Sequence, residues 1–125
     1  MEGDAVQPQD NPDLQRIIDR IPAGWRNSID VGPGWYPIVI ELDQQLAALF
    51  PDYEVNQVKE KFGGLRYYID GVDYDVARVL IREAERKAIE TCEVCGKPAR
   101  AMRRGYWYKT VCPTCRPDYE PIEED

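Results

Sequence analysis

The chain has 125 residues, is 43% hydrophobic and carries a formal net charge of −7. That length fits one domain of ordinary size with a small appendage, and the acidic excess argues against a generic polyanion binder. The absence of any histidine excludes triad and histidine general-base chemistry.

Residues 1–13 hold four acids, Pro8 and Pro12, with no apolar periodicity, and read as a disordered acidic N-terminus. They contain neither a basic n-region nor an apolar h-region, so no signal peptide is visible. The longest apolar run, residues 35–40, is too short to span a membrane, and the expected location is the cytoplasm. Leu14, Ile17, Ile18 and Ile21 fall at helical spacing and predict a helix over 14–21, with Asp13 as N-cap and Pro22 as its stop. A loop follows with two Gly-Trp pairs, Gly24-Trp25 and Gly34-Trp35, punctuated by Gly32-Pro33-Gly34. The simpler reading has both tryptophans packing down over the core, and the glycines match no nucleotide-binding fingerprint.

Ile38, Val39, Leu42, Leu46, Leu49 and Phe50 define the buried stripe of a second helix over 37–50, opened by Pro37 and ended by Pro51. The period then changes to two. Tyr53 and Val55, then Leu65, Tyr67 and Ile69, alternate with polar residues and predict a β-hairpin turning at 61–64, with a bulge near Val58. The carboxylate-rich run 70–75 lacks the EF-hand pattern and reads as a turn leading into a helix N-cap. A third helix over 74–91 buries Val76, Ala77, Leu80, Ile81, Ala84 and Ala88, with Glu83 and Lys87 placed to pair at i, i+4. Residues 14–91 therefore read as an α-α-β-β-α core.

The strongest chemical signal comes next. The chain's four cysteines form two CxxC pairs, Cys92/Cys95 and Cys112/Cys115, separated by sixteen residues. In a reducing compartment such pairs are metal ligands before they are disulfides. Four thiolates close a tetrahedral site and leave no open position for water, which points to structural Zn2+ rather than a catalytic ion. Iron in the same cage is the competing reading, because Cys112-Pro113-Thr114-Cys115 also resembles a rubredoxin knuckle; the short spacing favours zinc. Residues 99–111 between the pairs form a hairpin candidate turning at Arg103-Arg104-Gly105, so 92–116 reads as a zinc ribbon or a treble-clef-like hairpin. Residues 117–125, with five carboxylates and two prolines, read as a frayed acidic tail.

Charge is unevenly distributed. Residues 91–116 hold six basic residues against one acid, a formal +5, which leaves −12 for the rest of the −7 total. Arg100, Arg103, Arg104 and Lys109, interleaved with Tyr106, Trp107 and Tyr108, suit a protein partner or, alternatively, single-stranded nucleic acid. Lys59, Arg66 and Tyr68 fall on the hairpin face opposite Leu65 and Tyr67 and form a second candidate contact surface.

The run Gln57 to Tyr68, containing Lys61-Phe62-Gly63-Gly64-Leu65-Arg66-Tyr67-Tyr68, together with Gly34-Trp35 and Cys92-Glu93-Val94-Cys95-Gly96, resembles a group of small bacterial and phage-associated proteins of unassigned function. The resemblance spans roughly residues 24–115 and implies a zinc-bearing α+β protein. The expected architecture is α+β, with helices packed on a small antiparallel sheet that the zinc hairpin can extend. The expected function is non-enzymatic binding of a protein partner as an adaptor, regulator or inhibitor, or nucleic-acid binding through the zinc hairpin, with no membrane involvement.

Overall fold

A computed structural model describes residues 10–122, so the segment expected to be disordered lies largely outside the described residues. Among the described residues, three α-helices, α1 (Pro12–Asp19), α2 (Tyr36–Leu49) and α3 (Tyr74–Ala88), accompany six strands: β1 (Ile29–Asp30), β2 (Glu54–Lys61), β3 (Gly64–Asp70), β4 (Arg100–Arg104), β5 (Trp107–Val111) and β6 (Glu120–Pro121). The fold is α+β, with two three-stranded sheets ordered β1-β2-β3 and β5-β4-β6. The C-terminal hairpin therefore builds its own sheet and does not extend the central one. No described helix is long and apolar enough to cross a membrane.

The starts of α1 and α3 are set by side-chain caps. Asn11, not Asp13, caps α1; its Oδ1 accepts from the amides of Asp13 and Leu14, and Pro12 takes the first turn, where a proline costs no hydrogen bond. The helix thus begins inside the stretch expected to be disordered. Asp73 caps α3 in the same way, which accounts for the carboxylate-rich turn. Leu14 and Ile17 of α1 and Ile38, Val39, Leu42 and Leu46 of α2 meet Val55, Val58, Leu65, Tyr67 and Ile69 from one face of the central sheet. Ala77, Ala84 and Ala88 let α3 approach that layer closely.

Several expectations are corrected here. Leu49 and Val76 are 54% and 43% exposed, because each lies at the edge of its helical stripe rather than within it. Lys87 bonds to Glu41 on α2 at 2.5 Å, and Arg86 takes Glu83 at 2.7 Å, so the Glu83–Lys87 pair does not form. The bulge falls between Val55 and Gln57, not at Val58. Trp35 is fully buried, but Trp25 is 57% exposed. β1 joins β2 in parallel, a pairing that two residues of loop sequence do not advertise. The C-terminal segment is not frayed as far as residue 122: Tyr119 is buried against Met102 and Val111, and Glu120–Pro121 pairs with β4.

The central core contains one buried carboxylate. Asp43 of α2 accepts from Arg20 Nε at 2.7 Å and from the Tyr53 hydroxyl, which in turn lies 2.8 Å from the Tyr67 hydroxyl. The Arg20 guanidinium also stacks over the Tyr53 ring, 4.7 Å from its centroid. This network joins the end of α1, the middle of α2 and both long strands, and it satisfies groups that would be costly if left bare. Burial raises both phenols well above their usual range.

Removing Asp43 strands Arg20 and Tyr53 together. Asp43→Ala is expected to cost about 3 kcal/mol in denaturant unfolding, and Tyr53→Phe about 1–2 kcal/mol. Because the folded-state phenol pKa values are raised, their contribution is complete below the unfolded value of about 10 and falls as pH rises beyond it. Unfolding midpoints measured in the Tyr53→Phe variant should lose part of that alkaline decline.

Candidate metal centre and flanking surfaces

The two cysteine pairs occupy matching turns. The Gly96 amide donates to the Cys92 carbonyl at 2.9 Å, and the Arg116 amide donates to the Cys112 carbonyl at 3.1 Å. Gly96 has φ +83°, the left-handed conformation that such a knuckle needs and that glycine adopts without strain. The first turn is anchored at its base by the Cys92 amide on the Lys97 carbonyl at 2.7 Å.

The four sulfurs lie within 4.8 Å of one another, and Cys95 and Cys112 are 3.7 Å apart. A disulfide needs about 2.05 Å. A tetrahedron with metal–sulfur bonds of about 2.3 Å has edges of about 3.8 Å, so the spacing fits a four-thiolate metal site. Cys92 and Cys112 are buried and Cys95 is exposed at the rim. Burial pushes the Cys92 thiol up, but amides of Cys95, Cys112 and Val94 aimed at its sulfur outweigh this and hold it at about 6. Hydrogen bonding to the Cys95 and Cys112 sulfurs pushes Cys115 up to about 12. Cys92 is thus biased towards thiolate, while Cys115 keeps a proton that a metal would have to displace.

The module is fixed to the core chiefly through Glu93, a buried acid inside a basic segment. Its amide donates to the Thr110 carbonyl at 2.9 Å, and its carbonyl accepts from the Gly34 amide at 2.7 Å. Its carboxylate accepts from the Gly32 amide at 2.9 Å and from Lys109 Nζ at 3.3 Å. Contact is tight enough to require glycine: a Cβ on Gly34 would stand 2.1 Å from the Cys92 carbonyl oxygen, and one on Gly32 would stand 2.4 Å from that of Glu93. Trp35 Nε1 donates to the Thr91 carbonyl at 2.8 Å, and Thr110 Oγ1 donates to the Gly63 carbonyl at 2.7 Å. The Gly32-Pro33-Gly34-Trp35 and Phe62-Gly63 motifs therefore form the two seats of the metal module.

The candidate contact residues separate into two surfaces. Arg100, Arg103, Arg104 and Trp107 are exposed on the C-terminal hairpin, with Arg104 held by Asp118 at 3.1 Å. Lys109 is half-buried and bridges Glu60 and Glu93, both at 3.3 Å. Lys59, Arg66 and Tyr68 lie on the central sheet, where Lys59 pairs with Arg66 and Tyr68 with Gln57. Sequence reading missed Phe62. It forms the hairpin turn with Gly63, has φ +54°, and is 71% exposed. With Lys61, Tyr106, Trp107 and Tyr108 it lines a cleft of about 630 Å³ between the two hairpin tips. The signal available was the turn itself, since two-residue hairpin loops of this kind call for Asn or Gly where Phe62 stands.

Two outcomes test the site. With Zn2+ as the probe, apparent affinity should rise at least about tenfold per pH unit near neutrality, because Cys115 must release its proton; competition with a chromophoric chelator measures this. Gly34→Ala should destabilise the chain by about 2 kcal/mol or more through backbone collision, while its four thiols remain able to bind metal.

No family model, curated protein or solved structure matches the chain.

Proposed function

We propose that the chain is a non-catalytic, zinc-bearing interaction protein that binds a protein partner through the cleft between its two hairpin tips. Zinc as the resident metal is supported by a closed set of four thiolates and short CxxC spacing. A ribbon-like module is supported over a treble clef by the strand, rather than helix, that follows Cys115. A reducing cytoplasm would keep these thiols available as ligands.

The observation that carries the reading is Phe62. A bulky residue in the left-handed region costs about 1–2 kcal/mol relative to ordinary backbone. Strain of this kind is retained where it serves a site. Here it gains no burial, because the ring is 71% exposed, close to Tyr106 and Trp107, which are 95% and 68% exposed. Aromatic side chains clustered around a cleft are the usual anchors of protein interfaces. The flanking cations suit a partner with acidic residues around an apolar anchor. Nucleic acid is the second reading, favoured by the exposure of Arg103, which pairs with Tyr108 beside the same aromatics; steep weakening by salt would identify it.

Phe62→Asn separates stability from function, because Asn tolerates the left-handed conformation. The variant should unfold at equal or higher denaturant concentration, yet lose a partner that the wild-type chain retains in affinity capture. Trp107→Ser should lose the same partner. Retention of an identical protein set by all three chains would sink the proposal.

A further inference from the structure

A second cleft, independent of the hairpin tips, lies on the open face of the central sheet. It has a volume of about 310 Å³ and is lined by Trp25, Arg26, Ser28, Asp30, Asn56, Gln57 and Tyr68. Three irregularities converge on it. Gly24 has φ +93° with nothing within 4 Å of where a Cβ would stand, so its backbone angle, not lack of space, calls for glycine and sets the direction of Trp25. The bulge at Asn56 interrupts β2 beside the cleft, and bulges re-aim side chains where function requires it. Tyr68 is 47% exposed on a sheet whose other face buries Tyr67 and Ile69.

Strand register places two rows on this face, the second of which carries Lys59 and Arg66 next to the cleft lining. Gln57 pairs with Tyr68 in the first, and Asp30, Lys59 and Arg66 lie side by side in the second. The rows are two residues apart along the strand, about 6.8 Å. That is close to the distance between the base of a mononucleotide and its phosphate.

We infer that this face binds a nucleotide unit, either free or within a single strand. The base stacks on Trp25 and Tyr68, and the Asn56 and Gln57 amides meet its polar edge. The Asn56 amide nitrogen already donates to Asp70 at 2.9 Å, which leaves its oxygen as an acceptor. Lys59 and Arg66 take the phosphate, and Asp30 accepts from a sugar hydroxyl, as acidic residues do in nucleotide sites. Aromatics on an open sheet with adjacent cations are a recurrent solution for unpaired bases. The net charge of −7 disfavours long polyanions but does not oppose a site with two local cations.

The test uses the full metal-loaded chain and amide NMR titration with AMP, GMP, CMP, UMP and a short single-stranded oligonucleotide, with glucose as a control. Saturable shifts confined to residues 25–30, 56–59 and 66–68 are expected with at least one nucleotide. Trp25→Ala and Tyr68→Ala should each weaken binding about tenfold. Trp25 is exposed, so its removal leaves the fold intact. Lys59→Ala with Arg66→Ala should weaken the nucleotide but leave the matching nucleoside unchanged, and Trp107→Ala, at the other cleft, should leave the nucleotide-induced shifts as they are. A gain for the oligonucleotide over its mononucleotide identifies a strand as the source; equal affinity identifies the free nucleotide. The inference is overturned if no nucleotide or oligonucleotide gives saturable shifts at millimolar concentration, or if glucose binds in their place. It is equally overturned if the shifts map to Tyr106 and Trp107.

Discussion

The buried carboxylate of Glu93 is the constraint on which the arrangement of the two sheets depends. A charge taken out of water must be met by donors, or its burial costs several kcal/mol. Here the donors come from separate parts of the chain: the Gly32 amide precedes α2, and Lys109 lies on β5. Lys109 passes the link on to Glu60 at the end of β2. Backbone bonds from Gly34 and to Thr110 hold the same residue from both sides. Glu93 stands between the paired cysteines Cys92 and Cys95, so the turn that shapes the metal site also joins it to the core. The glycines of the facing loop follow from this, since no side chain fits where their backbones approach.

The second sheet has little else to stand on. Its apolar cluster consists of Cys92, Met102, Val111, Cys112 and Tyr119, with Ala99 and Cys115 beside it. A cluster that small does not fold alone, and units of this size depend on a metal, a disulfide or a larger neighbour. This one has a four-thiolate cage on one side and the docked core on the other. Asp43 plays the corresponding part inside the core, tying Arg20, Tyr53 and Tyr67 into a single polar network. Two buried acids thus fix the two packing problems that apolar contacts leave open: where α1 ends against the central sheet, and where the metal module sits.

Local chemistry made much of this legible in the sequence. Periodicity located the three helices and the central hairpin, because their buried stripes follow from backbone geometry alone. The CxxC spacing located the four sulfurs that converge in space. Long-range relations were hidden. Glu93 looked like a stray acid in a basic segment, and Gly32 and Gly34 looked like loop punctuation, because their meaning lies in a contact sixty residues away in the chain. Asp43 carries no local signal, because its partners, Arg20 and Tyr53, belong to other elements. β1 and β6 are two residues each and carry no period to detect. The acidic composition of the tail concealed Tyr119, whose ring packs beneath the guanidinium of Arg116 at 4.7 Å.

Three of the exposed aromatic residues share one backbone device. Trp25 follows Gly24 at φ +93°, Phe62 at +54° precedes Gly63 at +83°, and Tyr106 follows Gly105 at +62°. A left-handed residue fixes the course of a turn through backbone sterics, without requiring the adjacent side chain to be buried. Aromatic rings carried on such turns have only two side-chain torsions left to order when they meet a ligand, which lowers the entropic cost of binding. Ordinary surface aromatics need no such support, and their exposure alone would carry no meaning. Here the exposure coincides with positive φ at three separate turns, and two of those turns are held in place by the metal module and its seat at Gly63. Part of the apolar surface this chain leaves in water is therefore mounted on closely specified backbone, and Glu93 and the four-cysteine module together keep the two hairpin tips in one arrangement.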